Sequence, residues 1–333
     1  MKQLNLHAPD DVRLDDVPDP EPGPRDVLVR VEVCGICGSD LGYISLGGLA
    51  GPSGVPMPLG HEFSGIVDAV GDEVRGLELG ARVVVNPMAA DNQIGNGGPG
   101  GAMASHVLVR NVDDDRCLLR IPDSLPFDRA ALTEPLGVGM RAVDRSAARA
   151  GEKVVVLGAG PIGLAAVATL HHRGIDDVVA VDLSDTRLAI ARQLGAGSVL
   201  NPKSDDVWAR IRELHGTEPL FGVPMAGSDV YIEASGASPL IPQVLENAKS
   251  EARLSIVALH RQPVSVNFML VMMKQMSILG SMVYPEDWGE MIEMLTQKDL
   301  SPMITHRFPL EQFKEALAVA GDPSAGAKVL VVP

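Results

Sequence analysis

Gly158-Ala159-Gly160-Pro161-Ile162-Gly163 follows the apolar run Val154–Leu157 with the spacing of a phosphate-binding turn. The first glycine permits a tight turn, the second lets the backbone approach a pyrophosphate, and the third allows close packing of the helix that follows. That helix presents its N-terminus to the phosphates. Alone, such a motif is a weak signal. Here Asp182 ends the next apolar run, about 20 residues further on, where an acid hydrogen-bonds the adenosine ribose and repels a 2′-phosphate. The spacing predicts a dinucleotide site built from Gly158, Gly160, Pro161, Ile162, Gly163 and Asp182, with NAD favoured over NADP. The alternative is a glycine turn that binds nothing. Arg187 either lies against the adenine or is an exposed helix charge.

A second group contains sulfur. Cys34 and Cys37 form a CxxC, and Cys117 is the only other cysteine. A structural zinc held by four cysteines is therefore impossible within one chain. A redox pair of the thioredoxin kind does not fit either, because the CxxC precedes the glycine motif by more than a hundred residues. Cys34 is expected to be a small packed hydrophobe. Cys37 reads differently because it opens Cys37-Gly38-Ser39-Asp40, with Gly60-His61-Glu62 further along.

Such residues need a frame. A chain of 333 residues exceeds one ordinary core, so two domains are expected. Aromatics are only 3%, which leaves the cores to Val, Leu, Ile, Ala and Met. A net charge of −15, with no cluster of Lys and Arg, argues against nucleic acid as a partner. Residues 1–11 hold no apolar signal core. Residues 154–170, mostly apolar, are too short and glycine-rich for a membrane span. An odd number of cysteines does not suggest a disulfide framework, so the cytoplasm is the expected location.

The first third of the chain reads as short strands broken by turns, with the glycine-dense stretch 92–101 a loop. From Lys153, apolar strand runs alternate with helical stretches: residues 154–157 then 162–172, and 177–182 then 186–194. More strands are expected at 198–200, 229–232, 254–258 and 278–279. This rhythm predicts an α/β fold with a doubly wound parallel sheet. The closing run Lys328–Val332 lacks a partner there and is expected to return to the N-terminal β region.

Gly35-Ile36-Cys37-Gly38-Ser39-Asp40, Leu59-Gly60-His61-Glu62-Phe63 and Thr133-Glu134-Pro135-Leu136, followed by the glycine motif, resemble the zinc-containing medium-chain dehydrogenases. Within them the chain is most similar to the sorbitol, threonine and 2,3-butanediol dehydrogenase branch, over essentially its whole length. The resemblance implies a GroES-like, β-rich catalytic domain of residues 1–136 and 274–333, and a Rossmann domain of residues 137–273. It implies one catalytic zinc on Cys37, His61 and Glu62, with Glu134 either ligating or holding the zinc water. Thiolate, imidazole and carboxylate are all zinc donors. On a regular strand His61 and Glu62 would point to opposite faces, so both reach one ion only if the backbone is irregular, which Gly60 makes feasible. The alternatives are a buried His61 paired with Glu62, and Glu134 as a helix-start acid. Asp40 is either an orienting partner of His61 or a surface aspartate.

The activity implied is hydride transfer between a small secondary alcohol or diol and NAD, giving the ketone. Ser39 would accept the hydroxyl proton and relay it through the nicotinamide ribose. Two departures from the family pattern stand out. Gly42 occupies a position where many members carry a relay histidine, and residues 86–105 lack the four cysteines of a structural-zinc lobe. Sorbitol dehydrogenases also have an arginine just before the tyrosine matching Tyr284, a residue of the substrate pocket. Val283 stands there instead, favouring a less hydroxylated substrate. Met269, Met272, Met273 and Met276 form either an apolar pocket wall or a core or interface surface. The rival readings are a zinc-free NADPH-dependent quinone or enone reductase of the same fold, and a non-catalytic NAD-binding redox sensor. A homodimer or homotetramer is expected, with no membrane partner.

Overall fold

The computed structural model describes residues 1–112 and 116–333. The chain divides into two units, Met1–Glu134 with Glu286–Pro333, and Pro135–Pro285.

The first unit is built on a seven-stranded sheet. Along it lie Ile304–Pro309, Lys328–Val332, Val27–Gly35, Glu62–Val70, Arg82–Val85 and Leu118–Arg120, and His106–Val109 also pairs with Val27–Gly35. Val27, Val29, Val31 and Val33 are buried, while Arg30 between them is exposed, the period-two pattern of a strand with one face on a core. That core takes Phe63, Val67, Val83, Val85, Leu118, Val329 and Val331 from neighbouring strands. The C-terminal strand does return here, antiparallel to Val27–Gly35, with Leu330 opposite Gly35 and Val331 opposite Cys34. A small sheet of Asp11–Asp16, Lys2–Ala8 and Met57–Pro58 completes the β structure.

The second unit is a six-stranded parallel sheet in the order Ser198–Leu200, Val178–Val181, Val154–Leu157, Val230–Glu233, Arg253–Ile256 and Ser277–Gly280. The three strands Val154–Leu157, Val178–Val181 and Val230–Glu233 are buried at every position, as strands must be when helices cover both faces of a sheet. The doubly wound reading holds.

Two local features differ from the sequence expectation. Ser277–Gly280 joins the parallel sheet as the strand rhythm predicts, so this unit runs on to Pro285, past the boundary at residue 273 that the resemblance implied. It is an edge strand, only half-buried, and its apolar signal is two residues long. An exposed hairpin, Thr217–Leu220 with Val223–Ala226, also precedes Val230–Glu233. Each of its strands contains a proline, Pro219 or Pro224, a residue that ordinarily argues against a strand.

Candidate active site

Cys37 caps the N-terminus of the helix Gly38–Leu46, its sulfur accepting from the Ser39 N–H at 3.5 Å. The cap is reciprocal. Asp40 Oδ2 accepts from the Cys37 backbone N–H at 2.8 Å, which fixes the thiol at the helix mouth. His61 lies just before the strand Glu62–Val70, and Gly60 ahead of it turns in the left-handed region at φ +94°. Because His61 stands outside the regular strand, the opposite-faces rule does not apply to it. Its donor atom meets those of Cys37 and Glu62, all three lying within 4.8 Å of one another.

A zinc ion, with bonds of about 2.0–2.3 Å, fits donors of these types this close together. A buried pair of atoms beside the cluster supports the fit. His61 Nδ1 and Asp40 Oδ1 lie 3.5 Å apart, and neither has another hydrogen-bond partner among the described residues. An imidazole that gives one nitrogen to a metal and the other N–H to a carboxylate uses both atoms. Burial lowers the proton affinity of His61, but the charge and contact of Asp40, with Cys37, outweigh it and hold the imidazole well above its ordinary range. Cys34 is fully buried and packs behind Gly60. Burial first, then the Asp40 charge, pushes its thiol up, so it remains a protonated, packed residue.

Lys328 is a member of this site that the sequence reading passed over. It is 1% exposed, and its ammonium donates to both Glu62 oxygens, at 2.8 and 2.6 Å, and to the Ile36 carbonyl at 3.0 Å. All three of its protons are satisfied. Burial draws its proton affinity down, yet Glu62 and then Cys37 reverse this and hold the amine above its usual value. The one sequence signal was a lysine opening an otherwise apolar strand. Gly35 was missed as well. A Cβ there would stand 2.2 Å from Glu62 Oε2, so only glycine lets that carboxylate lie across the neighbouring strand.

Glu134 stands at the start of the helix Thr133–Ser146, outside the 4.8 Å cluster. Burial pushes its carboxyl up to about 7, with His61 opposing the rise and Glu62 adding to it. Ser39 Oγ lies 3.4 Å from His61 Nε2. Gly42 is buried within the same helix.

The cysteine-free segment supports the turn that carries His61. Ala102 and Met103 N–H groups donate to the Gly60 and Leu59 carbonyls at 2.9 and 3.0 Å. Tyr43 donates to Asn96 Oδ1 at 3.0 Å, and Asn92 ties the segment to Ala89 and Arg110 through three side-chain bonds. Hydrogen bonds hold this lobe where thiolates would otherwise hold a metal.

In the second unit, Gly158 turns at φ +99° after Val154–Leu157, and a Cβ there would stand 2.9 Å from Ser235. A Cβ on Gly163 would meet the Gly158 carbonyl at 1.8 Å, so helix and turn approach as closely as the motif requires. Gly160 caps the helix Pro161–His172, with Pro161 at its first position and Ile162 next. Asp182 follows the strand Val178–Val181. One of its oxygens accepts from the Ala159 N–H at 2.7 Å and the other from the Ser184 N–H at 2.8 Å. Both oxygens keep lone pairs for ribose hydroxyls. Arg187 is half-buried, with Nη1 3.9 Å from where a Gly160 side chain would begin. Tyr284 is half-buried in the turn after Ser277–Gly280, and Val283 before it has φ +64°, a strained value for a β-branched residue.

A thiol, an imidazole and a carboxylate gathered for one cation, on a chain that also carries a glycine turn with an acid at the adenosine position, define a metal-assisted pyridine-nucleotide dehydrogenase. Residues 23–123 match the alcohol dehydrogenase GroES-like domain, and residues 161–297 match the zinc-binding dehydrogenase domain. The (R,R)-butanediol dehydrogenase of Neisseria gonorrhoeae is 34% identical over 94% of this chain and 93% of its own. Human sorbitol dehydrogenase is 35% identical over 94% of this chain and 90% of its own. The NADP-bound structure of a proposed zinc-binding dehydrogenase from Sinorhizobium meliloti 1021 is 30% identical and superposes with a TM-score of 0.84, covering 100% of this chain and 99% of that one. The chain belongs to the zinc-binding alcohol dehydrogenase family.

Proposed function

We propose that the protein oxidises a short secondary alcohol or diol to the ketone with NAD, using one zinc held by Cys37, His61 and Glu62. The convergence of those three donors carries the reading. It also disfavours a zinc-free quinone reductase, which needs no such cluster. Bound zinc would act as a Lewis acid on the alcohol or carbonyl oxygen. Asp40 keeps His61 in one orientation and tautomer, and Lys328 compensates the Glu62 charge. Glu134, with its carboxyl near 7, holds or releases a proton at neutral pH. Ser39 takes the hydroxyl proton. With Gly42 on the next turn, that proton leaves to water rather than to an imidazole.

A panel of secondary alcohols and diols, followed by NADH absorbance, tests the reading. Short diols are expected to outrun hexitols, and NAD to exceed NADP at least tenfold in kcat/KM, because Asp182, held beside the glycine turn by the Ala159 N–H, would meet a 2′-phosphate with like charge. Asp182→Gly should narrow that gap. Turnover of no alcohol by zinc-loaded protein would overturn the assignment, and equal rates with both nucleotides would overturn the cofactor preference. Ser39→Ala should lower kcat by about 10²-fold or more with zinc content unchanged, and Ser39→Thr should recover much of it. Near-normal oxidation by the alanine variant would remove Ser39 from the proton path.

Among the described residues, no helix is long and apolar enough to cross a membrane. An odd number of cysteines, one of them a metal donor, fits a reducing compartment, and we assign the protein to the cytoplasm. Met276 is core. Phe268, Met269 and Met272 on the helix Phe268–Lys274 are 73%, 59% and 68% exposed, directly ahead of the open edge strand Ser277–Gly280. A second copy covering this face, in a homodimer or homotetramer, would bury both liabilities. Light scattering should give a multiple of 35.1 kDa that Met272→Glu reduces. A monomeric wild type would dismiss it.

A further inference from the structure

The parallel sheet reverses its order between Val154–Leu157 and Val230–Glu233, and ligands of doubly wound sheets bind in the crevice beyond the carboxyl ends of strands at such a point. Leu157, which leads into the glycine turn, is in register with Glu233, the last residue of its neighbour. The turn and Asp182 serve the pyrophosphate and the adenosine half on one side of this reversal. The other half of a dinucleotide falls on the side of Val230–Glu233 and Arg253–Ile256. No sequence motif marks what stands there.

Glu233 is fully buried and acts as a hub. Its Oε1 accepts from the Ser235 N–H at 2.9 Å, the Ser235 hydroxyl at 2.6 Å and the Gly236 N–H at 2.8 Å. Its backbone carbonyl accepts from Val257 and Ala258, at 2.9 and 3.2 Å, which ties down the segment leading to His260. Ser235 is the residue against which Gly158 packs, and Gly236, at φ +72°, abuts the Leu259 carbonyl. Glycine turn, Glu233 turn and His260 segment therefore meet at one place. There Glu233 Oε2 lies 2.8 Å from His260 Nε2. An ionised carboxylate only accepts, so the proton of a neutral ring sits on Nε2 and Nδ1 is left as an acceptor. Nδ1 is shut from solvent and has no partner among the described residues. A buried acceptor left unpaired is costly, and a hydrogen bond from a ligand would relieve it.

We infer that His260, oriented by Glu233, accepts a hydrogen bond from the nicotinamide half of the bound dinucleotide. The inference rests on the NAD-binding reading. It adds a positioning pair on the side of the crevice that the glycine motif does not reach.

The test uses zinc-loaded protein titrated with NADH and with ADP, which lacks the nicotinamide half. Asparagine can place an oxygen near the position of Nδ1, whereas glutamine reaches the position of Nε2 and leaves that of Nδ1 empty. His260→Gln should weaken NADH about tenfold, with ADP unchanged within about twofold and His260→Asn close to wild type. Glu233→Gln gives the ring an amide donor, moves its proton to Nδ1 and should weaken NADH as His260→Gln does. Equal NADH affinity of His260→Gln and wild type would overturn the inference alone. So would a parallel loss of ADP binding, or equal losses in the Gln and Asn variants, since both describe a structural role. Wild-type protein that fails to bind NADH would overturn the dinucleotide reading, and this inference with it.

Discussion

Replacing Cys37 by Ala is expected to remove both zinc and measurable turnover, while Cys34→Ala keeps one zinc per chain and most of the activity. The two sulfurs are three residues apart and occupy opposite situations. Cys37 stands at a helix mouth with its sulfur in the donor cluster. Cys34 is sealed behind Gly60, with burial holding it as the thiol. Losing one buried sulfur should cost Cys34→Ala about 1 kcal/mol of stability, a cavity effect. Losing a metal donor leaves two, one fewer than a catalytic zinc site ordinarily has. Elemental analysis with initial rates on both variants decides the matter. Equal damage would mean that the CxxC acts as a pair. Two tightly bound zincs in the wild type would mean that residues 86–105 do not replace a metal lobe.

The second large effect concerns stability. Lys328→Met leaves the Glu62 carboxylate buried without its cation, and breaking such a pair from one side costs about 3–5 kcal/mol. For a unit of this size that is roughly 10 °C in melting temperature. The loss should be largest after chelation, because a metal beside Glu62 provides the compensating charge otherwise. The double variant Glu62→Gln with Lys328→Met should recover most of the loss, since nothing charged is then stranded. If wild type and Lys328→Met melt together in chelator, the ammonium is not what keeps Glu62 buried and the pair does not have the role assigned to it.

The parts legible in the sequence were those whose physics is local. The glycine turn, its helix and Asp182 lie in one continuous strand–helix–strand passage, so spacing alone placed them. The irregular entry of His61 followed from Gly60. Lys328 was not legible, because its partner is 266 positions away and a single lysine in an apolar strand ordinarily marks an edge. The strand at 278–279 was legible from its apolar pair, but the domain boundary after it was not, because no composition shift at residues 274–285 marks where the sheet ends. The Glu233–His260 pair left no trace either, since its members share a site only through the pairing of two parallel strands. Tertiary proximity set these contacts, and pattern reading has no access to it.

The Glu62–Lys328 pair also bears on how each unit is completed along the chain. Residues 135–285 are continuous, and their parallel sheet takes no strand from outside that range. The first unit is not complete without the end of the chain, since its sheet waits for Lys328–Val332 and its buried carboxylate waits for the ammonium on that strand. The strand Lys328–Val332 therefore completes both the sheet and the charge balance around Glu62.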